Sequence, residues 1–216
     1  MKERPILFNA PMVKAILEGR KTQTRRVVKS DLIINQAEFE CGNRPHVIRS
    51  EPSLQYWVEN GCPFGQVGDR LWVRETFMDL SGTGVEHRDS EGQLQKYAYA
   101  TDCPRGSHSD ELRKDFGLKW KPSIHMPRSA SRILLEITNI RVEHLNGISK
   151  TDAIAEGVDK YHNSDFYVRY GFENDWCANA FASFAYLWES VYGKESWTAN
   201  PWVWVVEFKV IQGGAA

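Results

Sequence analysis

The sequence has few cysteines, and their spacing argues against several kinds of site. The four cysteines are Cys41, Cys62, Cys103 and Cys177, and no two of them form a C-x-x-C pair. Cys103 and His108 are near each other, but a single pair of this kind does not make a cluster. Zinc sites need clustered cysteine and histidine ligands, so we expect free thiols, no bound metal and no cofactor.

The sequence also lacks an excess of charge and a long apolar run. It contains 27 Lys and Arg against 28 Asp and Glu, which gives a formal net charge of −1. This balance argues against a broad basic surface for long nucleic acid, but it allows a local basic pocket. No apolar run approaches the length of a membrane span, and residues 1–8 do not resemble a signal peptide. We therefore expect a cytoplasmic protein with no membrane contact and no obligate protein partner.

The most unusual stretch is a short helix followed by a group of cations. Pro11 suits the first helical turn after a cap at Asn9 or Ala10, and Gly19 provides the stop. Such a group of cations and hydroxyls is suited to an anionic or acceptor-rich ligand, and the alternative is a solvated basic turn. The residues that follow the helix in this group are Arg20, Lys21, Thr22, Thr24, Arg25 and Arg26.

Hydrophobic periodicity elsewhere predicts a mixed order of strands and helices, and therefore the α+β class. In the longest strand candidate the apolar side switches partway along, which indicates a bulge and favours a small, partly open β-barrel capped by helices. Strands are predicted over 71–77, 97–101, 133–144 and 202–210, and helices over 176–192 and after a capping box at Ser149.

We interpret residues 1–216 as one domain that carries two long insertions. The first insertion is expected to be irregular, with its best local structure at 54–58, and the second to begin with a loop over 79–94. The barrel elements are placed at about 5–28, 67–78, 131–158 and 201–211, the insertions at about 29–66 and 79–130, and a helical segment at 176–193.

Four further residues are candidates for a site. Glu75 shares the apolar face of its predicted strand, so it lies either at the mouth of a pocket or in an ion pair with an arginine. Trp120 and His125 lie in a cationic loop with two prolines, a composition typical of a loop that stacks on a ligand; the alternative is that Trp120 fills the core. Glu156 ends a short helix, where the helix dipole disfavours a carboxylate.

The residues around the first helix resemble the signature of the ASCH domains, which are relatives of the PUA fold. Gly19, Lys21 and Arg26 match the pattern G-x-K-x-x-x-x-R. Supporting features follow in the expected order: a helix that ends in Ile-Leu-Glu-Gly, a strand after Gly68 and Asp69, an Ala-x-x-Glu-Gly helix end at 153–157, and a closing strand with Val-Glu-Phe. The chain looks most similar to the longer ASCH proteins of tailed phages and prophages.

The resemblance implies a PUA-like fold and two activities. Compact bacterial ASCH proteins include amidohydrolases that remove the acyl group from acetylated cytidine, and by motif their catalytic lysine, threonine and glutamate fall on Lys21, Thr24 and Glu156. Other ASCH proteins resemble RNA-binding or RNA-cleaving modules. The chain departs from the compact enzymes in its insertions and in Arg25, where those enzymes tend to carry an apolar residue.

Hydrolysis of an amide by these residues would require a suitable lysine pKa and a suitable geometry. A threonine hydroxyl needs a base, and Lys21 can be that base if burial and the neighbouring arginines lower its pKa. In a straight strand, however, Lys21 and Thr24 point to opposite faces, so the segment has to turn. Glu156 would hold the lysine, bind the exocyclic nitrogen of the base or carry a proton.

Two functions are therefore expected, from different classes. The first is a hydrolase for an acylated pyrimidine nucleoside. The second is an RNA-binding or single-stranded nucleic-acid-binding module, or a ribonuclease, in which the cations contact phosphate and Trp120 stacks on a base. In both cases Arg20, Arg25, Arg26, Glu75, Trp120 and His125 are the predicted ligand-binding residues, and the ligand is a nucleoside or RNA-like.

Overall fold

The computed structural model describes residues 1–43, 53–88, 92–103, 105–162, 164–170 and 174–213, and all structural statements below concern these residues. The strands are β1 (Glu3–Leu7), β2 (Gln23–Val27), β3 (Arg70–Arg74), β4 (Phe77–Asp79), β5 (His87–Arg88), β6 (Leu94–Gln95), β7 (Tyr97–Tyr99), β8 (Leu134–His144), β9 (Tyr167–Val168), β10 (Trp176–Cys177) and β11 (Trp202–Gln212). The helices are α1 (Ala10–Leu17), α2 (Asp31–Glu40), α3 (Leu54–Asn60), α4 (His108–Asp115), α5 (Lys150–Ala155), α6 (Ala180–Tyr192) and α7 (Lys194–Thr198).

A five-stranded sheet in the order β1-β3-β8-β11-β2 organises the fold. The β1–β3 pair is parallel, and the other pairs are antiparallel. The longest ladder joins β8 to β11, and its register shifts after Glu207 and again after Val210. These irregularities agree with the bulge that the sequence predicts for β8. The fold is α+β, and the described strands form an open sheet whose edges are β1 and β2, not a closed barrel.

Each face of the sheet packs against a separate hydrophobic core. Successive side chains of β11 point to opposite faces of the sheet, as the geometry of a strand requires. Trp204 and Val206 belong to the core that α1 and α2 cover, whereas Val203 and Val205 belong to the core under α5 and α6. This two-sided burial explains why the closing strand is apolar on both faces in the sequence.

Helix caps are the local signals that the sequence predicts best. The Asn9 side chain accepts a hydrogen bond from the Met12 amide at the start of α1, and Ser149 caps α5 in the same way. The predicted start of the long helix at 176 is wrong. Residues Trp176–Cys177 form strand β10 with β9, and α6 begins at Ala180 because the Asn179 side chain caps it.

The insertions contain more regular structure than the sequence predicts. In the first insertion, α3 lies where the best local structure is predicted, at 54–58, whereas α2 replaces a segment predicted to be irregular; residues 44–52 lie outside the described residues. The predicted strand over 71–77 ends at Arg74, and Phe77 begins β4, which forms a separate two-stranded antiparallel sheet with β7. The loop predicted over 79–94 contains strand β5 and the start of its partner β6, although residues 89–91 lie outside the described ranges. None of the helices described reaches the length and apolarity that a bilayer crossing requires.

Candidate functional site

A buried ion pair joins Lys21 to Glu156 at the end of α5. The Lys21 ammonium donates to the Glu156 carboxylate at 2.8 Å and to the Glu156 backbone carbonyl at 2.9 Å. The Lys21 side chain is 0% exposed and the Glu156 side chain 3%. The structure thus brings together two of the three predicted catalytic residues, from segments 135 positions apart.

Arg25 extends this pair into a network of charges. Its guanidinium donates to Glu156 at 3.1 Å and to Glu143 at 2.5 Å, and it lies 3.5 Å from Asp152. Arg141 bridges the same two acids, Glu143 and Asp152, and also pairs with Glu207 of β11. Both oxygens of the Glu156 carboxylate therefore have a cationic partner, which offsets the unfavourable position of this acid at a helix C-terminus.

The backbone around Gly157 brings the two halves of the pair into contact. Lys21 forms an isolated bridge with Glu156, and the Thr22 amide donates to the Ala155 carbonyl at 2.8 Å. Gly157 follows with a φ of +88°, and a Cβ atom there would lie 2.7 Å from the Lys21 Cβ. The glycine of the Ala-x-x-Glu-Gly motif is thus required both for its left-handed backbone and for this close approach.

Burial changes the protonation chemistry of the network. It lowers the pKa of Lys21, and the adjacent Glu156 carboxylate opposes this by favouring the ammonium form. For Asp152, burial favours the neutral acid, but the Ser149 hydroxyl and the charges of Arg141 and Arg25 outweigh it and lower the pKa of this carboxyl. The lowered pKa of Lys21 agrees with one condition that the hydrolase hypothesis sets.

Thr24, the third predicted catalytic residue, lies on the other face of β2. It pairs with Val206, whose side chain is in the core under α1, whereas Arg25 pairs with Val205 on the opposite face. Residues 23–27 are extended, whereas Lys21 precedes this strand and its ammonium lies 5.7 Å from the centroid of the Phe8 ring, in the core that also contains Val206. The role of Thr24 as a nucleophile stays a prediction.

A cleft of about 800 Å³ opens between the edge strands β1 and β2. We call it the seam cleft. Its polar lining comes from Arg26, Lys29, Ser30 and Tyr192. The remaining walls are mostly apolar, and the largest side chains among them are Ile6, Leu7, Val27, Ile33, Phe64 and Trp204.

The hydrogen-bond pattern of the sheet leaves backbone amides and carbonyls of β1 and β2 without a strand partner on the side of the seam cleft. In β2 the even-numbered residues bond to β11, because the Val28 amide donates to the Trp202 carbonyl and the Phe208 amide to the Thr22 carbonyl. The amide and carbonyl of Val27 therefore point away from β11. By the same reasoning, the carbonyl of Pro5 and the amide of Leu7 point away from β3, since the Phe8 amide bonds to the Arg74 carbonyl.

Arg26 and Arg20, like Arg25, have structural partners. Arg26 crosses the seam: it donates to the Leu7 carbonyl of β1 at 2.6 Å and to the Tyr192 hydroxyl at 3.0 Å. Arg20 donates to Glu18 and to the Gly157 carbonyl. Arg26 therefore lines the cleft and also holds its two edges together.

The structure places Glu75, Trp120 and His125 away from the cleft. Glu75 is buried and forms a two-point ion pair with Arg132, as one of its two sequence interpretations predicts. Trp120 packs in a small core with Met78, Leu80 and Ala98, which agrees with the alternative that it fills the core. His125 is exposed within a short 3-10 turn, Ser123–His125. None of these three residues lines the seam cleft.

Several residues of the network and the cleft carry no signal of their own in the sequence. Arg141 and Glu143 lie on the predicted strand beyond the point at which its apolar side switches, and that switch is the one available sign of a charged face. The cleft has no local pattern, because it forms between strands that are far apart in the chain. Among the described residues there is no group of three or more side chains that could hold a metal ion.

Comparison of the chain with protein-family models, with curated proteins and with solved structures finds no match.

Proposed function

We propose that the chain recognises a nucleobase in the seam cleft, as a domain with the PUA-like architecture of the ASCH proteins. The observation that carries the proposal is the pair of free strand edges that face each other across a mostly apolar cleft. A nucleobase has apolar faces and a polar edge, so apolar walls suit its faces while backbone amides and carbonyls suit its edge. Support for the architecture comes from the order and caps of the elements that carry the ASCH resemblance.

The cleft suits a ligand of nucleoside size. Ligand pockets for molecules of this size commonly enclose about 300–1,000 Å³, and the seam cleft lies within this range at about 800 Å³. Phe64 and Tyr192 provide aromatic side chains at its wall, on which a base can stack. The amide and carbonyl of Val27 offer one donor and one acceptor, which matches the mixed edge of cytosine.

Titration of the protein with cytidine, acetylcytidine and adenosine by calorimetry tests the proposal. We expect saturable binding, and we expect Phe64→Ala to weaken it about tenfold, since stacking on an aromatic side chain contributes about 1–3 kcal/mol per base. Phe116→Ala is the matched control, because Phe116 is exposed and lies outside the cleft. The proposal is wrong if none of the three nucleosides binds, or if the two variants behave alike.

Hydrolysis of an acylated cytidine is the second candidate function, and the buried contact of Lys21 with Glu156 favours it. The neutral amine form of Lys21, which burial favours, can accept a proton from an attacking hydroxyl and return it to the leaving amine. The Lys21 ammonium donates to Glu156, and no hydrogen bond joins it to Thr24 in the described part of the chain, which weighs against the Thr24 hydroxyl as the group that Lys21 deprotonates. The closed position of Lys21, at 0% exposure, also weighs against direct contact with a substrate in the cleft.

Incubation with acetylcytidine separates binding from hydrolysis. If the second candidate is correct, the wild-type protein releases cytidine and acetate, and Lys21→Met abolishes the release. Chromatography of the nucleosides measures the turnover, and circular dichroism verifies that the variant is folded. Binding of acetylcytidine without turnover would show that the hydrolase hypothesis is wrong, and it would support nucleobase recognition.

A further inference from the structure

Arg74, at the end of β3, has an unusual environment for a half-buried cation. Its guanidinium lies over the Trp72 ring, with 4.6 Å between Cζ and the ring centroid. Its Nε atom is buried, and no described residue accepts a hydrogen bond from it. A guanidinium stacked on an indole is held in a fixed orientation, and the stacking itself uses none of its N–H groups.

Two nearby arginines, Arg132 and Arg128, differ from Arg74 in having acidic partners. Arg132 binds Glu75 and Asp102, and Arg128 binds Glu3. Arg70, on the same face of β3, resembles Arg74 in having a buried Nε atom without an acceptor among the described residues, but it lies in register with Glu3, which does not line the seam cleft. No carboxylate of the described residues lies within ion-pair distance of Arg74.

Arg74 is also next to the seam cleft. It pairs with Leu7 in the parallel register of β1 and β3, so the two side chains share a face at a strand spacing of about 4.8 Å. Leu7 lines the cleft and is 43% exposed. A ligand that extends from the cleft over Leu7 would therefore reach Arg74.

We propose that Arg74 binds a phosphate group of the ligand whose base occupies the seam cleft, so that the ligand is a nucleotide or a strand of nucleotides rather than a free nucleoside. This inference rests on the proposed recognition of a nucleobase. The planar fork of a guanidinium matches two phosphate oxygens, and such charge-assisted hydrogen bonds are among the strongest that proteins make. The near-neutral charge of the whole chain is compatible with one or a few phosphate contacts, not with a long basic surface.

Calorimetric titration with cytidine, cytidine 5′-monophosphate and a seven-nucleotide single-stranded RNA tests the inference. We expect the monophosphate to bind about tenfold more tightly than cytidine at low salt, since hydrogen bonds between charged groups are stronger than those between neutral groups. Arg74→Gln should remove this difference and leave cytidine binding unchanged. Arg88→Gln is the matched control, because Arg88 is exposed and lies in the β5–β6 hairpin.

The RNA distinguishes the two sources of phosphate. Tighter binding of the RNA than of the monophosphate, with a steeper salt dependence that Arg74→Gln reduces, identifies a strand; equal binding identifies a single nucleotide. Equal affinity of the wild-type protein for cytidine and its monophosphate overturns the inference, although the proposed function stands. Dependence on Arg74 without dependence on Phe64 supports the phosphate site and refutes the cleft as the base site. Failure of all three ligands to bind refutes both.

Discussion

Glu156→Ala is expected to lower the free energy of unfolding by about 3–5 kcal/mol, the range for removing one partner of a buried ion pair. The substitution leaves the Lys21 ammonium buried with only a backbone carbonyl as its acceptor. Arg25 loses one of its acidic partners but keeps Glu143 and Asp152. The cost is therefore dominated by the uncompensated charge on Lys21.

Urea denaturation at pH 7 measures this loss, and Glu18→Ala provides the matched control. Glu18 is an exposed acid that pairs with Arg20 and Lys14, so its removal should cost less than about 1 kcal/mol. The double variant Lys21→Met with Glu156→Leu should recover much of the lost stability, because it removes both charges and fills the same space. Equal losses for Glu156→Ala and Glu18→Ala would show that the Lys21–Glu156 pair does not support the fold.

Gly157→Ala is expected to destabilise the protein by about 2–4 kcal/mol. The backbone at Gly157 has a φ of +88°, which costs an L-residue roughly 1–2 kcal/mol. The new Cβ atom would also lie 2.7 Å from the Lys21 Cβ and 2.8 Å from the Ala15 Cβ, and overpacking of this kind costs about 1–3 kcal/mol. Neither neighbour is the end of a flexible side chain, so relief requires a backbone shift.

Gly147→Ala is the control for this second substitution. Gly147 does not have a positive φ, and a Cβ atom added there meets nothing within 4 Å. We expect a change of less than about 1 kcal/mol, as is usual where the backbone accepts alanine without strain. If both glycine variants have the same midpoint in urea, the close approach of Gly157 to Lys21 is not a constraint on folding.

Glu156→Ala and Gly157→Ala also bear on function. The charge network around Lys21 and Glu156 lies on one face of β2, and the seam cleft lies at the free edge of the same strand. Nucleoside binding should survive a modest loss of stability at Glu156, provided that the titration is performed well below the unfolding transition. If the protein hydrolyses acetylcytidine, Glu156→Ala should abolish the turnover, because Glu156 is the ion-pair partner of Lys21, the proposed general base. Measurement of both therefore separates a supporting role of the network from a chemical one.

The amino-acid sequence by itself determined the local structure of this protein. The caps at Asn9 and Ser149, the bulged character of β8 and the two-sided apolar pattern of β11 depend on neighbouring residues, and such short-range preferences can be read from a pattern. The pairing of Lys21 with Glu156 was predictable only through the ASCH resemblance, since no local interaction joins positions that far apart.

Only the tertiary structure decided which charged side chains meet and which stay unpaired. The sequence could not choose between a pocket and an ion pair for Glu75, and packing of Arg132 against it decided the question. Likewise, the face on which Thr24 lies depends on the register of β2 against β11, and the freedom of Arg74 depends on which strands flank it. The physical reason is that ion pairing and burial are set by distances between strands, which depend on the whole sheet and on no single segment.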